Sequence, residues 1–315
     1  MISFKQIFYE NTTLSTKEKV ASAKSFDEAV TYILEDTKLT HRFIRYNRFL
    51  SNLSNIFSSN PHRFTKCIVE ILSRGRYDIQ DGKYIIKSDI DIPTYFVSNG
   101  KFIFDISEAT VEGGFICSFN ENLASLEGAP QTVRMNFYCS FNGNLASLEG
   151  APQTVGGDFI CSNNPNLTSL EGAQHITVEG DFICSNNPNL TSLEGAPQTV
   201  EGDFICSRNP NLTSLEGAPQ NVGGDFSCLN NNLTSLEGAP QTVRGNFICS
   251  HNKNLTSLEG APQNVEWNFI CSDNPNLTSL EGAPQNVGGD FYCNDNPNLT
   301  ETYEEYLQRI KNKND

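Results

Sequence analysis

The sequence predicts a repeat solenoid whose turns stack a parallel β-sheet, preceded by a small helical (α+β) N-terminal module. Three observations predict it. Cys117, Cys139, Cys161, Cys184, Cys206, Cys228, Cys249, Cys271 and Cys293 are separated by 22, 22, 23, 22, 22, 21, 22 and 22 residues. An Asn stands three residues after every one of them, as at Asn164, Asn187 and Asn209, and a pair of leucines follows, such as Leu167 and Leu170. Most units then close on Gly-Ala-Pro and a Val. A fixed period of this length marks one small structural unit that buries its apolar face only against a neighbouring copy.

The chain divides into four parts: a helical module over 1–78, a β cap over 79–110, the solenoid over 111–300 and a capping helix over 301–315. In the first part, Ser25 and Glu28 form a capping box ahead of Ala29, Val30, Ile33 and Leu34, which predicts a helix. A second helical stretch runs from about Thr40 to Ser58 and carries His41, Arg42, Arg45 and Arg48. Asn60-Pro61 opens a third helix, which Gly75 should end. Asp81-Gly82 between β-prone runs predicts a hairpin, and strands follow at Tyr95–Val97 and Lys101–Ile106. These close one end of the solenoid, and a helix from Glu301 to Lys313 closes the other.

Within the repeat, Phe159-Ile160-Cys161 predicts a strand in which Phe and Cys point inward together. Leu167, Leu170 and Val178 fill the rest of the core, while Gly172 shapes a return leg with little helix-forming sequence. The Asn satisfies backbone groups at the turn and repeats as a ladder. Nine strands spaced about 4.8 Å apart give a sheet about 40 Å wide.

The unit V-x-G-D-F-I-C-S-x-N-P-N-L-T-S-L-E-G-A-P-Q-T, seen over about 111–300, resembles the leucine-rich repeat, L-x-L-x-x-N-x-L-x-x-L. Phe and Cys stand where that family has the two strand leucines. Eight of the nine units carry one extra residue between Asn and Leu; the unit of Cys228, with Asn231 and Leu233 two apart, does not. Its length and its L-x-S-L-E-G-A-P segment are most similar to the short bacterial and phage versions. The resemblance implies a parallel sheet on a concave face, with the partner bound there. The plan is also similar to bacterial leucine-rich-repeat effectors, some of which carry a ubiquitin-ligase domain after the repeats; about 15 residues follow them here, so no such activity is expected.

Candidate contact residues follow from the alternation. The residue between Phe and Cys faces outward: Ile116, Tyr138, Ile160, Ile183, Ile205, Ser227, Ile248, Ile270 and Tyr292. Such a row is either a partner surface or a consequence of β-propensity. Asp158, Asp181, Asp203 and Asp225 precede it and repel one another, which should raise some of their pKa values and favour a basic partner. Glu127 to Glu281 form a second acidic row that reads as a solubilising edge. Met135 and Trp267 replace a Gly of the repeat, and Ser227 and Leu229 alter the outward face. Trp267 is either a partner contact or an edge-packing residue.

Charge excludes some functions. Residues 1–101 hold 15 Lys/Arg and 11 Asp/Glu (+4), residues 102–300 hold 4 and 22 (−18), and 301–315 hold 3 and 4 (−1). The acidic solenoid argues against a nucleic-acid partner. No apolar run is long enough to span a membrane, and no secretory signal is visible. One Cys per turn, without C-x-x-C, makes a core row rather than a metal site, and unpaired thiols suit the cytoplasm of the protein's own or a host cell. Seven Asn-Leu-Thr triplets, from Asn166 to Asn298, come from the repeat. His41, His62, His175 and His251 show no catalytic spacing, so neither enzyme activity, metal nor cofactor is expected, although the first 100 residues could hold an unrecognised activity. Finally, Met1–Glu10 is similar to the capsid-targeting peptides of T-even-like phage internal proteins, apart from Phe8 at the aliphatic position. That resemblance implies a packaged virion protein cut after Glu10 as the alternative to a protein-binding module.

Overall fold

A computed structural model describes residues 61–92 and 94–314. The two expected helices before residue 60, with His41 and its neighbouring arginines, and the first ten residues lie outside the described residues. The third helix, α1 (Pro61–Ser73), stops just before Gly75: Arg74 takes the left-handed conformation (φ +54°), which turns the Gly75 N–H back to the Glu70 carbonyl at 3.0 Å. A hairpin follows, β1 (Tyr77–Gln80) and β2 (Lys83–Ile86), turned by Asp81-Gly82 with both φ angles positive. After β3 (Ile90–Asp91), Thr94–Phe96 form a 3-10 turn in place of the expected strand. Only β4 (Val97–Ser98) and β5 (Lys101–Phe102) pair, around Asn99-Gly100. The extended run stops early because its partner strand does: the residue that would face Ile103 is Phe96, at the end of the 3-10 turn, while Phe102 and Phe104 lie in the core, stacked at 5.1 Å.

From there the chain is a parallel β-solenoid of stacked coils with a period of about 22 residues. Where the sequence predicts one strand per turn, the structure has two. The first is a Thr-Val or Asn-Val pair, from β6 (Thr110–Val111) to β22 (Asn286–Val287). The second is the predicted Phe-Ile pair, from β7 (Phe115–Ile116) to β23 (Phe291–Tyr292). Pairs of the first kind continue β1 and β2 into an 11-stranded sheet; pairs of the second continue β3 into a 10-stranded one. Both run in register, like residue on like residue, as in Phe159↔Phe182 and Val155↔Val178. The Val of each first strand points inward and its Thr or Asn outward, so two residues suffice for a strand that is buried on one side.

Register turns each inward position into a column. The phenylalanines from Phe115 to Phe291 stack almost parallel, with centroids 5.1–5.6 Å apart. Beside them run the cysteines, fully buried except Cys293, and the two leucines of each turn. The Phe column ends on Tyr303, stacked on Phe291 at 4.0 Å. Tyr303 opens α2 (Tyr303–Asn314), the C-terminal cap. A capping box starts this helix: the Thr302 N–H donates to Glu305 (2.8 Å) and the Glu305 N–H to the Thr302 hydroxyl (3.2 Å). Arg309 ties the helix back to Glu281 and Glu301. At the other end α1 packs on β1, β2 and β3. Among the described residues no helix is long and apolar enough to cross a membrane.

Polar ladders hold the turns at one spacing. Each repeat Asn is buried. The side chain of Asn187 donates to the carbonyls of Cys184 (2.8 Å) and Cys161 (3.2 Å), and its oxygen accepts the Asn164 N–H (2.7 Å). The Asn of the Asn-Leu-Thr triplets is exposed but also bonded, as when Asn189 donates to the Pro165 carbonyl at 2.8 Å. The turn at Glu-Gly-Ala demands glycine twice over. At Gly172 φ is +102°, and a Cβ would lie 2.3 Å from the Leu148 carbonyl carbon one turn below.

Candidate functional site

The outer face of the 10-stranded sheet carries the predicted contact residues in adjacent columns. Ile160, Ile183, Ile205, Ile248 and Ile270 are half-buried, flanked along the column by half-buried Tyr138 and exposed Tyr292. Each isoleucine gives one side to its neighbours above and below and the other to solvent. The column breaks at Ser227, whose hydroxyl pairs with that of Ser207 at 2.9 Å. In the same turn Leu229 stands where every other turn but the last, with Asn294, has Ser, so the apolar and hydroxyl positions are exchanged.

The aspartates do a structural job that their spacing alone does not reveal. One oxygen of Asp158 accepts the Asp181 N–H (3.0 Å), Asp181 accepts that of Asp203 (2.8 Å), Asp203 that of Asp225 (2.7 Å), and Asp225 that of Asn246 (2.7 Å). Asn136, Asn246 and Asn268 take the same place in the ladder where a carboxylate is missing. The Asp203 carboxyl lies above the ordinary aspartate range, chiefly through burial. The Asp225 N–H opposes this, and the charges of Asp181 and Asp225 add to it. Among the described residues none of the four aspartates forms an ion pair with Lys, Arg or His.

The same ladder bears on the repeat's glycine and on one of its two exceptions. A Cβ at Gly202 would lie 2.4 Å from the Asp181 oxygen one turn below, and one at Gly224 2.1 Å from that of Asp203. Met135 fits because the turn below carries Gly114 at the Asp position and so has no such oxygen. At Trp267 the Asn246 oxygen still accepts the Asn268 N–H, at 3.1 Å, and nothing in the structure explains the replacement of Gly there. The Asn246 amide is meanwhile drawn back to Asp225. Both side chains stand beside the Asp column, Met135 57% and Trp267 62% exposed.

One pair escaped the sequence reasoning. Phe119 and Phe141 stack at 4.6 Å on the surface, each with a positive φ. The signal was present: the same repeat position holds Asn163, Asn186, Arg208, Asn230, His251, Asp273 and Asp295, all polar. A bulky aromatic in the left-handed region costs more than Asn or Asp does there.

The chain matches no protein-family model, no characterised protein and no solved structure in the three comparisons made. Chemistry that needs convergent groups has little to work with on this face. Among the described residues no three His, Cys, Asp or Glu side chains group to hold a metal ion. Burial holds the inward thiols from Cys117 to Cys271 well above the ordinary thiol range. His251 lies 3.6 Å from Asp273, both well exposed, while His175 is exposed. A groove of about 550 Å³ lies elsewhere, between residues 101–108 and the Gly-Ala edges of the next two turns; the Lys101–Glu127 ion pair lines it.

Proposed function

We propose that the solenoid is a non-enzymatic scaffold that binds a protein partner on the outer face of the Phe-Ile strands. The observation that carries this reading is the column of half-buried isoleucines, continuous over three turns at Ile160, Ile183 and Ile205, extended by Tyr138 at one end and resumed beyond Ser227 at Ile248 and Ile270. An apolar strip of that length, left beside water on a rigid sheet, is stabilised by being covered. The acidic column next to it favours a basic partner and disfavours nucleic acid. The repeat is read as a leucine-rich repeat of the short bacterial or phage type, with this sheet as its concave face and a helical module ahead of it. That reading is supported by the Asn at the strand end and the inward leucine pair. Nine unpaired thiols support a cytoplasmic setting, and an effector-like role in the protein's own or a host cell follows from the plan.

The test is capture of partners by the full chain and by an Ile183→Asp, Ile205→Asp variant that retains the parent's circular dichroism. Retention by the parent with loss in the variant supports the face; equal retention by both refutes it. The packaged-protein alternative rests on Met1–Glu10 and predicts the chain in purified particles beginning at Asn11.

A further inference from the structure

The exposed large apolar side chains of the solenoid are confined to its two ends. Phe119, Met135 and Phe141 lie on the first two turns, and Trp267 and Tyr292 on the last two. Met135 and Trp267 occupy the same repeat position six turns apart, which at the sheet spacing is about 29 Å. The four turns that begin just after Met135 carry Asp158, Asp181, Asp203 and Asp225 in unbroken succession.

The carboxylates are not equivalent. Asn136 donates to the second oxygen of Asp158 (3.1 Å), and Asn246 to both oxygens of Asp225 (3.0 and 3.1 Å). Asp181 and Asp203 each use one oxygen on the ladder N–H. The strip is thus closed at both ends by amides and concentrates unneutralised charge at its centre, midway between the two apolar ends.

The geometry points to a specific occupant: a basic amphipathic α-helix of the partner, lying along the stack axis with an apolar residue at each end. This rests on the reading that the face binds protein, and names the partner's chemistry. A helix rises about 5.4 Å per turn, close to the roughly 4.8 Å between successive carboxylates. Lysines or arginines at every third or fourth position therefore meet consecutive aspartates over four turns. About 19 helical residues span the distance between Met135 and Trp267. An extended strand crosses the same distance in about nine residues, but its side chains on one face repeat near 6.8 Å and fall out of step with the carboxylates.

The test uses the full-length protein and labelled synthetic helices of about 24 residues. The probe has two tryptophans about 18 residues apart and four lysines between them on the same face; a scrambled peptide of equal composition is the control. Fluorescence anisotropy should show the patterned peptide binding at least about tenfold more tightly than the scrambled one, with the gap closing as salt is raised. Asp181→Asn with Asp203→Asn keeps the ladder acceptors, as Asn136 and Asn246 show, and should weaken binding by about tenfold or more. Trp267→Gly restores the repeat residue and should also weaken it. Equal binding of both peptides, no binding of either, or indifference to the Asp→Asn pair overturns the inference. The Ile183→Asp, Ile205→Asp variant separates the two failures. Pattern-blind binding that this variant abolishes removes only the helix, whereas binding that survives in it removes the face as well.

Discussion

The side-chain oxygen of Asn187 accepts the backbone N–H of Asn164, one turn away, at 2.7 Å, while its amide holds the carbonyls of Cys184 and Cys161. One fully buried side chain thus fixes three backbone groups on two successive turns. Asn187→Ala orphans the buried Asn164 N–H and removes one of the two amide donors from each carbonyl, which Asn209 and Asn164 still hold, so the expected loss is about 2–4 kcal/mol in denaturant unfolding. Asn189→Ala removes only an exposed bond to Pro165 and should cost about 0.5–1 kcal/mol. Similar losses for the two variants would refute a special role for the buried ladder.

Asp203 should make stability depend on pH. Its carboxyl is held above the ordinary aspartate value first by burial, so the folded state binds the proton more tightly than the unfolded chain does. The resulting stabilisation is complete below the unfolded pKa of about 3.9 and is lost as pH rises through the folded value. Asp203→Asn keeps the ladder acceptor and removes that loss. Its Tm should exceed the parent's by about 1–3 °C at pH 7, a figure kept small by the partial exposure of the group. Near pH 3 the two should agree. A variant less stable than the parent at pH 7 would show that the carboxylate's ladder bond outweighs its desolvation.

Gly202 and Asp181 should be energetically coupled. A Cβ on Gly202 meets the Asp181 oxygen at 2.4 Å, so Gly202→Ala alone is expected to cost about 1–3 kcal/mol. In an Asp181→Gly background the carboxylate contact is gone but the Gly180 backbone still lies 2.6 Å from the new Cβ, so the same substitution should cost less without becoming free. A double-mutant cycle by thermal or chemical unfolding should therefore return a coupling of about 1–2 kcal/mol. Strict additivity would remove the carboxylate from the steric account and leave the Gly180 backbone alone to explain why the repeat holds Gly at this position.

Such couplings mark the boundary of what the sequence makes legible. The solenoid and its period are readable because Cys161, Asn164, Leu167 and Leu170 recur at one offset, and any element repeated nine times must stack. The second sheet is not readable in the same way: Thr154-Val155 is two residues long, too short for alternation, and becomes a strand only through the neighbouring turn. The hairpin at Asp81-Gly82 and the stop at Gly75 are legible because positive φ has a residue signature. The extended run expected to Ile106 is not, because the 3-10 turn at Thr94–Phe96 leaves it without a partner strand beyond Phe102. For the candidate face, the outward column follows from the period of two. The ladder role of Asp158, Asp181, Asp203 and Asp225 depends on one turn lying a hydrogen bond above the next, which a linear sequence does not encode locally.

The cysteine row makes a last prediction about access. Eight of its nine thiols are fully buried with pKa values raised by that burial, and only Cys293, on the final turn, is partly exposed with a smaller rise caused by burial and then Glu304. Thiolate fraction and access together set the rate of reaction with a disulfide reagent. Of the nine, Cys293 should be modified first at pH 8, and the other eight only as fast as the turns open, so that their labelling follows denaturant concentration. Peptide mapping after brief labelling checks the order. Early modification of Cys206 or Cys228 would place an opening in the middle of the stack, at the short turn of Ser227 and Leu229. Labelling confined to Cys293 would mean that the turns hold together and that this thiol is reached through its own exposure on the final turn, where Tyr303 covers the last phenylalanine.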